Sequence, residues 1–302
     1  MAQLIKLENY ISRYQQDIYH YPAQFTRLKK ENWQRLKVLW EQQLKMKQTE
    51  PEEETEESNF FNWRSLFHRR SEVEEVESED EFPVLPQKEE ELKQFFLDTL
   101  LPFQLRWAST TINQMSFLDR EYHHDSLLRF FLQRMPDTYF IMYLPIFELK
   151  SGIVNGEVVM ITPLEIEIIM AVEQAADQTL IASEQRYWHV AQQDIHTRTL
   201  SPLIALKRTE TIVQSILKKY ELEMPIKKVV LSRANTIEFQ RVPYRTDFIG
   251  KEEFPAWLQQ KQQLLSPIKH NQLKVTEALL RHVQSVSVRR PEWDSDDKAD
   301  IW

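Results

Sequence analysis

Asp137, Glu148 and Lys150 stand at a spacing that metal-dependent phosphodiester hydrolysis could use: Pro136-Asp137, ten residues, then Glu148-Leu149-Lys150. Two carboxylates can share a divalent cation, and a lysine can orient the attacking water and stabilise developing charge. The ten intervening residues, Thr138 to Phe147, are apolar and rich in β-formers. As one strand they would separate the carboxylates by roughly 11 rises of about 3.3 Å, too far for a shared ion. Only a chain reversal at Leu144-Pro145 would bring them together, and no Gly or Asn stands there to make it.

Other chemical groups are more scattered. Glu157, Glu165, Glu167 and Glu173 lie on or beside two short apolar runs, at 157–162 and 165–172. Glu165 and Glu167 share one face of a strand, opposite residue 170, and read as the solvated side of a half-buried strand. His123-His124-Asp125 offers metal-ligand atoms, but adjacent side chains diverge, so surface or capping roles are expected. Lys207, Arg208, Lys218-Lys219 and Arg289-Arg290 could touch phosphate yet have the look of ordinary solvated cations. The three glycines, at 152, 156 and 250, are too dispersed for a phosphate-cradling loop, which disfavours nucleotide-hydrolysing and dinucleotide-binding functions. The chain has no cysteine, which removes disulfides, thiolate metal sites and cysteine nucleophiles.

These groups need a scaffold, and the expected class is mixed α/β (α+β). Residues 1–47 carry Leu4, Leu7, Tyr10, Ile11, Tyr14 and Ile18 at helical intervals, interrupted at Pro22, and are expected to form an N-terminal helical segment. Residues 48–91 form an acidic linker: 49–91 hold 16 acidic and 4 basic side chains, so the rest of the chain is mildly basic although the net charge is −8. Within the linker, residues 59–70 concentrate Phe60, Phe61, Trp63, Phe67, Arg64, Arg69 and Arg70. As a helix, Phe60, Trp63 and Phe67 would share a face fit for a partner's groove, with Arg69 and Arg70 beside it. Whether that island docks on its own chain or on a partner stays open.

Residues 92–124 are expected to be helical around Pro102 and to pack on the core. A helix at about 125–135 then leads into a meander over 138–172, with a hairpin signal at Asn155-Gly156. Further strands are expected at 187–191, 227–232 and 248–249. Helices are expected over 202–220, 252–263 and 267–284, and 285–302 read as a loose tail. No run reaches the roughly 18 apolar residues of a membrane span. With no secretion signal at Met1–Glu8, the expected residence is cytoplasmic.

The order helix, antiparallel strands, helix, strand resembles the core of PD-(D/E)XK nucleases, and residues 157–210 are similar to the nuclease-related domain (NERD) family. Glu157-Val-Val-Met-Ile-Thr-Pro163 resembles the family's Asp-bearing strand with its Ser/Thr-Pro turn. Glu165–Val172 resembles the next strand, which normally ends Glu-X-Lys. Ser183–Trp188 is similar to the stretch before a Trp-bearing strand, and Ser201-Pro202-Leu203-Ile204-Ala205 to an Asn-Pro-Leu-X-Gln helix start. The resemblance implies a restriction-endonuclease-like mixed sheet over 125–265, followed by a C-terminal helix and tail over 266–302. It also places the family's Asp on Glu157, its Glu and Lys on Met170 and Val172, and its Gln on Ala205. A site so altered lacks the second carboxylate and the lysine.

The expectation is therefore a non-catalytic, adaptor-type protein without a cofactor. It would bind a protein partner through the 59–70 island and retain weak nucleic-acid binding. Two alternatives stand: an active Mg-dependent nuclease using Asp137, Glu148 and Lys150, and a nucleic-acid-binding protein regulated by its acidic linker.

Overall fold

The first part of the β-rich run at 138–147 and its two successors lie inside a six-stranded mixed sheet. The computed structural model describes residues 1–49, 85–150, 152–192, 195–264 and 266–290. β3 (Phe140–Tyr143) is antiparallel to β6 (Val158–Ile161), and β6 is antiparallel to β7 (Ile166–Ala171). β11 (Ile226–Leu231) and β13 (Thr246–Ile249) extend the sheet in parallel beyond β7, while β1 (Gln3–Leu7) lies parallel to β3 on the other side. Helices cover both faces. On one, Phe140, Met142, Val159, Ile168 and Val230 pack with Leu206 and Val213 of α5 (Pro202–Lys219) and Val275 and Leu279 of α7 (His270–Leu280). On the other, Ile141, Met160, Ile169 and Val229 meet Leu105 of α3 (Glu89–Trp107), Leu128 and Phe131 of α4 (Ser126–Arg134), and Trp257 of α6 (Phe254–Gln263). Strands enclosed on both faces are apolar almost throughout, which is why these runs stand out in the sequence.

A second sheet, in the order β10 (Ile195–Leu200), β9 (Tyr187–Gln192), β8 (Thr179–Ala182), β12 (Thr236–Phe239), adds Leu180, Trp188, Val190 and Ile237 to the first face's core. Trp188 is fully buried, edge-on to Phe248, and its indole N–H donates to Ser183 O. Asn235 fastens the two sheets together. It accepts from Gln174 N and donates to Ala175 O and Gln178 O, fixing the loop between β7 and β8.

Several expectations are corrected. Residues 1–47 are not one helical segment: Gln3–Leu7 is strand β1, followed by α1 (Arg13–Gln16) and α2 (Tyr21–Thr49). A strand buried on both faces shows no alternation, so Leu4, Leu7 and Tyr10 mimicked a helical period. Pro22 does not interrupt a helix but lies in the first turn of α2, where its missing N–H costs nothing. The linker is shorter than 48–91, since α3 already begins at Glu89, and α2 packs on it through Leu36, Phe96 and Leu100. α3 runs through Pro102 and stops at Trp107, where the Ser109 and Thr110 hydroxyls donate back to Arg106 O. Gln114–Met115 is then a short strand, β2. Val288–Arg289 (β14) pairs with β2, so 285–290 is not a loose tail. The island at 59–70 lies outside the described residues.

The run 138–147 is two strands. Leu144 takes a left-handed conformation (φ 48°) before Pro145, and the chain leaves the large sheet as β4 (Ile146–Leu149), paired with β5 (Gly152–Asn155). Asn155-Gly156 is not a hairpin turn; it passes the chain from β5 to β6. A Cβ on Gly156 would stand 2.6 Å from Phe147 Cε2, so close approach explains the glycine there. Among the described residues, no helix is long and apolar enough to cross a membrane.

Candidate functional site

α5 is where the chemical groups gather, because its two flanks lie over different strands. Ser201 is its N-cap and Pro202 its first residue, a position where proline is pre-organised for helix. Leu206, Val213, Ile216 and Leu217 seat the helix on the sheet. With 3.6 residues per turn, Ala205, Arg208 and Thr209 face one side, and Lys207 and Glu210 another.

The first flank holds the residues placed by the NERD resemblance. Glu157 directly precedes Val158, which pairs with Ile169, so one further step of the antiparallel ladder sets Glu157 opposite Met170. The Glu157 backbone N–H donates to Thr209 Oγ1 (3.1 Å), and that hydroxyl donates to Ala205 O. Met170 and Val172 pack against the core beside it. The Glu157 carboxylate is half-buried and its nearest cation is Arg208 at 3.9 Å. Burial raises the Glu157 carboxyl above its ordinary value, with Arg208 opposing. The chain thus brings Glu157, Met170, Val172 and Ala205 into one neighbourhood, but with a single carboxylate. That is one carboxylate fewer than a pair sharing a cation would supply, and no group of three or more His, Cys, Asp or Glu side chains able to hold a metal occurs among the described residues.

Asp137, Glu148 and Lys150 are not assembled into a site. Asp137 precedes β3 and pairs with Lys29 of α2. The Lys29 ammonium holds its carboxyl below the ordinary value although burial opposes this. Glu148 follows the opposite end of β3, exposed on β4, with its backbone N–H donating to His282 O. Leu144 does turn the chain, but outward into a separate two-stranded sheet.

The solvated face expected for Glu165 and Glu167 is also corrected. Glu167 is fully buried beneath α6 and ion-paired to Lys261, and Glu165 lies 3.7 Å from the same ammonium. Burial pushes the Glu167 carboxyl up to about 7 against the pull of Lys261. This pair is on the far face of the sheet from Glu157 and ties α6 down. Glu173 is paired with Arg233. Asp125 caps α4, accepting from Leu127 N and Leu128 N, and receives the Tyr143 hydroxyl; His123 and His124 end the preceding turn.

The second flank of α5 was not foreseen. A cavity of about 890 Å³ opens between the start of α5, the beginnings of β11 and β13, and the loops at 184–186 and 241–244. At its base Glu210 bridges two lysines, with Lys207 Nζ at 2.8 Å and Lys228 Nζ at 2.9 Å. Burial alone would raise the Glu210 carboxyl, but the two lysines hold it below its ordinary value. Ser201, 2% exposed, lines the cavity, and its buried hydroxyl has no hydrogen-bond partner. Arg186 and Arg241 stand at the mouth, the latter 4.0 Å from Glu184. Tyr244 is 81% exposed on the rim, with the Arg245 guanidinium over its ring. In the sequence only Lys207 and Glu210, about one helical turn apart, stand together, and the fold brings Lys228 of β11 to them.

No protein-family model and no solved structure matches the chain. A stretch of 41 residues is 54% identical to part of a protein named RNA 2',3'-cyclic phosphodiesterase from Geobacillus stearothermophilus. It covers 14% of this chain and 13% of that protein. So short a likeness transfers neither fold nor site.

Proposed function

We propose that the protein is a non-catalytic relative of the NERD family with a restriction-endonuclease-like core, acting as an interaction module that retains weak nucleic-acid binding. One observation carries the reading: Glu157 faces Met170 across the β6–β7 ladder, where a working site would need a second carboxylate. The succession of α4, the meander β3–β6–β7, α5 and β11 supports the fold part, since it follows the order from which the resemblance was read. Losing a metal ligand and the water-orienting lysine would each raise the barrier by several kcal/mol, or orders of magnitude in rate. The protein partner assigned to Phe60, Trp63, Phe67, Arg69 and Arg70 belongs to this proposal on sequence grounds alone.

The test is incubation of the full chain with labelled single- and double-stranded DNA and RNA in Mg²⁺ or Mn²⁺. The expected result is intact substrate. Cleavage that disappears in Glu157→Ala or Glu148→Ala would overturn the proposal.

A further inference from the structure

The cavity on the second flank of α5 combines three properties that an ordinary surface depression lacks. Its base is cationic, because Glu210 is shared by Lys207 and Lys228 and neutralises only one of them. At the mouth, Arg186 and Arg241 face Glu184 alone, so the surplus stays positive from base to rim. The start of an 18-residue helix opens into it, and the aligned peptide dipoles favour an anion there, although Pro202 has no N–H and Ile204 N already donates to Ser201 O. The buried Ser201 hydroxyl stands at that same end without a partner, although Ser at an N-cap ordinarily bonds the first turn. A buried hydroxyl left unsatisfied costs roughly as much as a lost hydrogen bond. The Ser201 oxygen is itself shut off from solvent, so it lies behind the cavity wall and offers no open contact to a ligand.

The rim adds an aromatic platform. Tyr244 is largely exposed, an unfavourable place for a ring, with the Arg245 guanidinium over it, and Val242 beside it is also exposed. Exposed aromatics flanked by arginines suit the planar face of a nucleobase, which stacks with little dependence on base identity. An acidic peptide would use the cations but gain nothing from the ring. The volume of about 890 Å³ lies within the range of small-ligand sites and admits a nucleotide unit.

The geometry points to this cavity as a nucleotide-binding site: a phosphate held between Lys207 and Arg186 near the start of α5, with the base stacked on Tyr244. The ligand is single-stranded nucleic acid or a free nucleotide, which share this chemistry. The inference rests on reading the chain as a binding module, and it gives the weak nucleic-acid binding a location away from Glu157.

The experiment is a fluorescence-anisotropy titration of the full chain with a labelled oligouridylate at low salt in EDTA, with uridine monophosphate and inorganic phosphate as competitors. Tyr244→Ala, at an exposed position, is expected to weaken binding about tenfold. The double substitution Arg186→Gln/Lys207→Gln is expected to lower the slope of log affinity against log salt by about two. Displacement by the monophosphate at concentrations near those of the oligonucleotide identifies a free nucleotide as the ligand; displacement only at large excess identifies the strand. Unchanged affinity in both the Tyr244 and the Arg186/Lys207 variants would overturn the inference, as would an equally tight polyglutamate peptide or no binding by wild type. Because no metal is present, cleavage observed separately in Mn²⁺ would refute the non-catalytic reading without altering this result.

Discussion

The two flanks of α5 differ in what the same helix does with its charge. Toward β6 and β7 it presents Ala205, Arg208 and Thr209 to one half-buried glutamate backed by Met170 and Val172. Toward β11 and β13 it presents Lys207 and Glu210 to Lys228, beneath an open cavity. Helical phase alone sorts the residues, but the strands beneath decide whether a charge finds company. On the first flank the neighbouring strand offers methionine and valine, and the carboxyl pKa rises because burial outweighs Arg208. On the second it offers an ammonium, and the pKa falls although burial opposes it. A carboxylate is thus loosely paired with one arginine on one side of the helix and tightly held by two lysines on the other.

The strongest way to break the contrast is to give Glu157 a companion. Met170→Glu places a second carboxylate across the ladder, and this variant is expected to bind Mn²⁺ measurably by calorimetry where wild type does not. Equal metal binding by both proteins would mean that the first flank was never deficient. The next effect is on stability. Glu210→Ala leaves Lys228 buried without its counter-charge, and should cost about 3 kcal/mol in urea unfolding. A midpoint equal to that of wild type would show that the bridge carries no weight.

The smallest effect is in pH dependence, and its sign differs between the flanks. The raised Glu157 carboxyl contributes stability below its unfolded value of 4.5, and that contribution is lost as pH rises through the higher folded value. Glu157→Gln should therefore gain on wild type as pH rises above 4.5 through the higher folded value. The lowered Glu210 contributes stability above 4.5 that is lost as pH falls through its folded value. Glu210→Gln should accordingly be at its greatest disadvantage near neutrality and close the gap in acid. Parallel curves for the two variants in chemical denaturation would remove the distinction.

Much of the large sheet could be read from the chain. The runs at 138–143, 157–162, 165–172 and 227–232 are apolar because helices cover both sides, and α5 announces itself with Pro202 and its periodic Leu, Ile and Val. What escaped were elements whose character comes from contacts. β8, β10 and β12 are short and part-polar, since one side of the second sheet is open. Glu167 looked solvated because nothing local reveals that Lys261, 94 positions on, will cover it. Glu157, Met170, Val172 and Ala205 could be grouped only through the resemblance, and the register of β6 with β7 bears on the first two alone, carrying Glu157 toward Met170. The second-flank cavity could not be grouped, because residues near 185, 201, 228 and 244 meet only in the folded chain.

The placement of β1 bears on how the molecule is made. Lys6 is buried in that strand, its ammonium donating to Tyr10 O, Gln15 Oε1 and Ser285 Oγ, and burial brings its pKa down to about 7. The strand leaves the ribosome early, yet its ladder partner β3 is synthesised over 130 residues later; Gln3 and Asp137, joined by a side-chain hydrogen bond, stand 134 positions apart. Ser285 comes 279 positions after Lys6. Until then Leu4, Ile5 and Leu7 have no slot to enter, and an adhesive segment of this kind waits exposed during translation. The nascent chain has a long interval in which a chaperone, or a protease, can find this unpaired strand.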